Sequence, residues 1–217
     1  MVLQRIGIIG DVHAQHKTLE SALAFLETQN IDRVLCTGDL ADGDTVQTGD
    51  LNRVCELLQN VDALVVKGNH DRWLLQEKYR DWSDATPLDS VTPATREYLD
   101  KLPRSIPLET SVGKFWLFHG LAENDFRWLK PEEFENASED DADLQAILRG
   151  EYSFVLAGHT HIRQVQRAGN FVCLNAGTLR PEYSPCLSVL DFNAMEIQFH
   201  DFSGGDWTPA ERISLAP

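Results

Sequence analysis

Asp11, His13, Asp39, Asn69, His119, His159 and His161 each follow closely on a short apolar run, and each carries an oxygen or nitrogen that can bind a metal ion. A strand-end Asp taken singly is a turn former, and a lone His is usually a surface or satisfied core residue. The recurrence at five places in one chain is what carries weight. Of the seven histidines, only His16 and His200 lie away from such run ends. Imidazole mixed with carboxylate suits Mn, Fe, Co, Ni or Zn better than Mg or Ca, which prefer oxygen. Seven mixed ligands are too many for one ion. They suit two ions that share a bridging carboxylate. Two divalent ions against two carboxylates, Asp11 and Asp39, leave a local positive charge that fits a phosphate ester.

The elements that must position these residues are legible in outline. Arg5 to Ile9, Arg33 to Thr37 and Ala63 to Val66 read as buried strands, each closing on Gly with Asp or Asn. Between them, 17–26 and 51–58 carry apolar residues at helical spacing, which argues for a parallel sheet of βαβ units. In open α/β sheets, ligands gather at the carboxyl ends of the strands. Further on, 72–80 reads as a helix and 86–91 as a loop. Thr92-Pro93 caps a helix running to Lys101. Lys114 to Phe118 and Ser153 to Ala157 read as strands ending at His119 and at Gly158-His159. The acidic stretch 123–143 reads as a solvated loop with a following helix. Runs at 164–167, 171–174, 186–192 and 195–201 suggest an antiparallel second sheet. Residues 1–217 read as one domain, without repeat or linker.

The chain is 42% hydrophobic and 24% charged, ordinary for a soluble globular protein, and its net charge is -15. So acidic a surface repels long nucleic acid, but it leaves room for a local site for one small phosphate. A DNA nuclease is disfavoured for the same reason. The four cysteines form no C-x-x-C pair and read as free thiols of a reducing cytosol, so a cytoplasmic location is expected. No apolar run approaches a membrane span, and no membrane partner is expected.

In chain order the motifs are Asp11-Val12-His13, Gly38-Asp39, Gly68-Asn69-His70-Asp71, His119-Gly120 and Gly158-His159-Thr160-His161. This ordered set resembles the calcineurin-like metallophosphoesterase superfamily, and the stretch from Asn175 to Phe192 resembles the tail of its small bacterial branch. The resemblance implies an α/β fold, a four-layer α-β-β-α sandwich of two mixed β-sheets flanked by helices, with a dimetal site at the strand ends. It implies one ion, Mn favoured, on Asp11, His13, Asp39 and His161. A second ion would lie on Asp39, Asn69, His119 and His159. The implied reaction is hydrolysis of a phosphodiester or phosphomonoester of a small substrate, a nucleotide among the candidates, by a metal-bridging hydroxide. Within "GNHDRW", the resemblance makes Asn69 the ligand and turns His70 toward the substrate. Asp71 is then expected to hydrogen-bond the His70 ring and keep it protonated, which makes His70 and Asp71 the catalytic pair.

Two departures stand out: Ala14 where that family has Gly after the first His, and Gly43 where its protein-phosphatase branch has Arg. Some members of the superfamily are non-catalytic interaction scaffolds that have lost catalytic residues, but His70 and a full ligand set argue for an enzyme. Arg72 reads as a surface or helix-pairing residue ahead of a substrate contact. Arg127, Arg180 and Tyr183 read as surface residues first and substrate contacts second. Trp73, Trp82, Trp116, Trp128 and Trp207 are expected in the core. Oligomeric state is not readable from the sequence.

Overall fold

A computed structural model describes residues 2–43, 50–127, 142–149, 152–168 and 171–216. The stretch 5–65 alternates as expected: β1 (Arg5–Ile9), α1 (His16–Glu27), β2 (Arg33–Cys36), α2 (Leu51–Asn60) and β3 (Leu64–Val65). These three strands are parallel neighbours, with Gly7 opposite Val34 and Leu35 opposite Leu64. Asp50 caps α2 by accepting from the Arg53 amide, so the apolar stripe of the helix starts where the cap places it.

A short α3 (Asn69–Leu75) follows, then α4 (Pro93–Lys101), whose Thr92 cap accepts from the Thr95 amide. The helix expected at 72–80 begins earlier and ends sooner. The chain leaves it through left-handed Glu77 and Tyr79, and Leu88–Ser90 in the expected loop forms a 3-10 turn. Next come β4 (Ser105–Thr110), β5 (Gly113–Phe118), α5 (Ala142–Leu148), β6 (Tyr152–Ala157), β7 (Arg163–Ala168) and β8 (Phe171–Ala176). The chain closes with β9 (Cys186–Asp191), β10 (Glu196–Ser203) and β11 (Asp206–Ser214). The acidic stretch at 128–141, with Trp128, lies outside the described residues.

The strands form two sheets, β11-β10-β9-β1-β2-β3 and β4-β5-β6-β8-β7. Both are mixed. Side-chain alternation in the central strands makes three apolar interfaces. Ile9, Val34, Cys36 and Val65 face α1, α2 and α4. Ile6, Ile8 and Leu35 meet Phe115, Leu117, Phe154, Leu156 and Leu174 between the sheets. Phe118, Val155, Phe171 and Cys173 face Leu144 and Ile147 of α5. The result is a four-layer α-β-β-α sandwich.

The last third is not a separate antiparallel sheet. β8 is buried at every residue and lies inside the second sheet, parallel to β6, with β7 antiparallel on the edge. β9 instead runs antiparallel to β1 and carries β10 and β11 onto the first sheet. β4 and β11 escape the sequence reading because they are edge strands with much exposed surface. Each contains a Pro, which edges tolerate. All four cysteines are free and buried. No helix among the described residues is long and apolar enough to cross a membrane.

Candidate metal centre

The carboxyl ends of β1, β2 and β3 in one sheet meet those of β5 and β6 in the other. Backbone bonds stitch them together. The amides of Val12 and His13 both donate to the Asp39 carbonyl, and the Gly158 amide donates to the His119 carbonyl. His13, Ala14, Asp39, His159 and His161 all have positive φ, between 45° and 68°. Left-handed non-glycine residues are uncommon, and their clustering at one site marks strain held by surrounding structure. Ala14, in the place where a Gly was expected, takes this conformation at φ 57°.

The ligand atoms gather in two groups that share Asp39. One atom each of Asp11, His13, Asp39 and His161 lie within 4.8 Å of one another, and so do those of Asp39, His119 and His159. In the first group, His13 Nε2 and His161 Nε2 are 3.0 Å apart, and His161 Nε2 is 3.3 Å from Asp11 Oδ2. In the second, His119 Nε2 lies 3.3 Å from Asp39 Oδ2 and 3.0 Å from the Asn69 amide. The same end of that amide is 2.8 Å from His159 Nδ1 and 3.2 Å from the Asp125 carbonyl. With its oxygen there, acceptor faces acceptor. With its nitrogen there, its two hydrogens face His159 Nδ1 and the Asp125 carbonyl. A cation in the group would call for the oxygen. The group consists of imidazoles, a carboxylate and an amide, residue types that bind a metal ion once His119 gives up its Nε2 proton, so the donor set fits.

The electrostatics leave lone pairs on three of the four imidazoles. Burial holds His13 well below the usual imidazole range, and burial also brings His159 and His161 down to about 4. All three are therefore neutral near pH 7 and offer lone pairs. Burial, reinforced by the charge of Asp39, lifts Asp11 to about 7. His119 goes the other way: the negative charges of Asp39 and Asp11 overcome its burial and raise it to about 10. Its Nδ1 lies 2.7 Å from the Thr37 carbonyl, which fixes the ring and leaves Nε2 facing Asp39.

Two glycines make room for the carboxylates. A Cβ on Gly68 would sit 2.1 Å from Asp39 Oδ1, and one on Gly158 would sit 2.3 Å from Asp11 Oδ1. Both carboxylates are also fixed by hydrogen bonds. Asp11 accepts from the Thr37 hydroxyl and the His159 amide, and Asp39 accepts from the His70 amide. Gly158→Ala is therefore expected to displace Asp11 and to weaken Mn binding by about 10- to 100-fold. Isothermal titration of the metal-free variant with Mn, beside a circular dichroism check of the fold, measures this; unchanged affinity would show that Asp11 needs no such room.

His70 stands beside this cluster, its ring 5.0 Å from that of His13. Its partner is not Asp71. His70 Nδ1 bonds Asp42 Oδ2 at 2.9 Å. The Asp71 carboxylate points back into the fold, where it accepts from the amides of Leu40, Ala41 and Gly68 and fixes the start of α3 against the β2 loop. The reason is geometric: adjacent residues on a helix point apart, so Asp71 cannot follow the ring of its neighbour. Asp42 is itself locked. Arg80 grips both its oxygens at 2.8 Å, and the Thr86 amide donates to it at 2.9 Å. Burial opposes its charge, but the His70 and Arg80 bonds outweigh burial and take it down to about 2. In turn, the Asp42 bond outweighs the burial of His70 and raises that imidazole above its usual value. The signal for Asp42 was present in Gly38-Asp39-Leu40-Ala41-Asp42-Gly43; no local pattern pointed to Arg80.

The sequence profile described as the calcineurin-like phosphoesterase superfamily domain matches residues 5–194. The chain belongs to that superfamily. An uncharacterized protein of Methanocaldococcus jannaschii is 26% identical over 187 residues, covering 82% of this chain and 71% of that one. The crystal structure of a metallophosphoesterase from Sphaerobacter thermophilus superposes with a TM-score of 0.69 at 18% identity, over 93% of this chain and 88% of the other. Vps29 of Entamoeba histolytica, solved in complex with zinc, superposes with a TM-score of 0.57 at 20% identity, over 98% and 99% of the two chains. These two structures share the fold.

Around the centre of this superfamily member, Arg72 makes a two-pronged pair with Asp125 at 2.6 and 2.8 Å, so it braces the segment after β5 against α3. Arg180 bonds Glu182 and carries Tyr183 beneath its guanidinium, and Tyr183 in turn packs on His161 with ring centres 4.9 Å apart. The Arg127 amide donates to the Asn124 carbonyl. Trp73 is buried, as expected of a core residue, but Trp82 is 44% exposed. Its ring lies 6.1 Å from that of His70.

Proposed function

We propose that this phosphoesterase is a two-metal hydrolase that cleaves one ester bond of a small phosphate ester. The observation that carries the reading is the place of Asp39, a buried carboxylate common to two convergent groups of ligand atoms. Asp11, His13, Asp39 and His161 would hold one ion, and Asp39, Asn69, His119 and His159 the other. The mixture of imidazole and carboxylate favours a transition metal, manganese first. When bound, the pair supplies an activated water and positive charge for the phosphoryl oxygens.

The remaining roles belong to the chain. With His70 Nδ1 bonded to Asp42, the proton on Nε2 is the one available to the leaving oxygen. Arg80 and Thr86 hold Asp42 in place, and through it the ring. Asp71 serves the architecture. Asp42→Asn keeps the shape and removes the charge that favours protonated His70. Turnover is expected to fall about tenfold, and the alkaline limb of the rate profile to move to lower pH, with metal content unchanged. A profile that does not move would separate Asp42 from the acid role of His70.

The experiment that tests the reading is hydrolysis of p-nitrophenyl phosphate and of its bis-ester by protein stripped of metal and then given Mn. Turnover that depends on Mn supports the proposal, and the preferred ester assigns phosphatase or phosphodiesterase. Bound Mn with no turnover of either compound counts against it.

A further inference from the structure

Beside the centre stands a group of aromatic rings with no part in holding metal or in moving the His70 proton. Trp73 touches Tyr79, Trp82 and Phe126, and Tyr79 touches Trp82, with ring centres 4.7 to 5.7 Å apart. Trp73 is buried and forms the base, while Tyr79, Trp82 and Phe126 are 46%, 44% and 57% exposed. Exposed aromatic clusters on soluble proteins are uncommon and mark binding surfaces. This one adjoins the ligand-bearing residues directly: Trp73 packs on His70 at 4.9 Å and Phe126 on His159 at 5.4 Å.

The cluster is also held rigid. Tyr79 and Trp82 stack at 5.0 Å with 26° between their planes. Tyr79 sits at φ 56°, a left-handed conformation that a bulky residue adopts only when its surroundings enforce it. The enforcing contact is next door, where Arg80 forks onto buried Asp42. The residue that orients His70 therefore also fixes the turn that presents Tyr79 and Trp82. A lipid tail would require a closed apolar channel. This surface is exposed, and Arg72, beside Trp73, borders a polar groove lined also by Lys78, Arg104, Glu123 and Asp125. Stacked rings beside a centre that would hold a phosphate suit a planar, unsaturated ring attached to that phosphate.

We infer that the Trp82 and Tyr79 platform, with Phe126, is the subsite for a nucleobase of the substrate. This makes the esters hydrolysed nucleotides. The inference rests on the phosphoesterase reading of the adjoining centre. Stacking on an aromatic side chain contributes enough to be read by truncation, about tenfold in affinity for one base.

The test uses the Mn-loaded protein with AMP and ribose 5-phosphate, which share a phosphate and a sugar and differ in the base. Both are measured as inhibitors of bis-p-nitrophenyl phosphate hydrolysis, and separately as quenchers of tryptophan fluorescence. AMP is expected to inhibit at about tenfold lower concentration than ribose 5-phosphate. Trp82→Ala is expected to abolish that advantage and most of the quench, and Trp82→Phe to restore the advantage. Equal inhibition by the two compounds, with hydrolysis intact, overturns the subsite and leaves the phosphoesterase reading standing. An AMP advantage that survives Trp82→Ala also overturns it. Trp82-dependent quenching by AMP in protein that hydrolyses no ester supports the subsite and fails the phosphoesterase reading instead.

Discussion

Asp39→Ala is expected to weaken Mn binding by more than about 100-fold and to reduce ester hydrolysis to background. The position belongs to both groups of ligand atoms, so its loss removes a donor from each and the only carboxylate between them. His13 Nε2 lies 3.8 Å and His119 Nε2 3.3 Å from the same Asp39 oxygen. Without it, Asp11 remains as the sole carboxylate of the two groups, and two neighbouring cations would repel with little to screen them. Asp39→Asn separates this effect from misfolding. It keeps an oxygen to accept from the His70 amide, 2.8 Å away in the native chain, while removing the charge. Metal content after gel filtration reads the outcome directly. An alanine variant that kept two tightly bound ions would contradict the bridging role of Asp39.

His70→Ala is expected to keep its metal and lose about 10²- to 10⁴-fold in turnover, the usual range for a general acid or base. The separation of the two effects follows from geometry. The His70 ring bonds Asp42 and packs on Trp73 and edge-on to His13, and its hydrogen bond to the ligand set comes from a backbone amide that alanine retains. Removing the ring leaves Asp42 with Arg80 and the Thr86 amide, so the loop stays closed. The loss should also shrink for esters with better leaving groups, because a good leaving oxygen needs less help from a proton. Comparing p-nitrophenyl phosphate with an alkyl phosphate measures this. Full activity in His70→Ala would remove His70 from the mechanism.

What the sequence made legible was local. Strand ends closing on Gly-Asp, Gly-Asn-His and Gly-His-x-His were visible because short apolar runs and their terminating residues are neighbours in the chain. The same locality misled for Asp71. Adjacent to His70 in sequence, it is directed away by the helix that both begin, and the partner comes from Asp42 through tertiary packing. Arg80 was invisible because nothing near it in sequence announces a buried carboxylate 38 residues earlier. The last third showed its strands but not their sheet membership. Alternating patterns specify that a strand has two faces, not which neighbour it finds, so β8 and β9 parted into different sheets. Trp82, an aromatic residue suited to core or interface, was expected in the core, and its exposure beside His70 is information that only the fold supplies.

A two-ion centre shared through Asp39 is tested by titrating metal-free protein with Mn while recording bound metal and hydrolysis of the bis-ester together. Two Mn are expected to bind per chain, with turnover that stays low through the first equivalent and rises with the second. Saturation at one ion, or full turnover with one ion or none, would contradict a centre built around a shared Asp39.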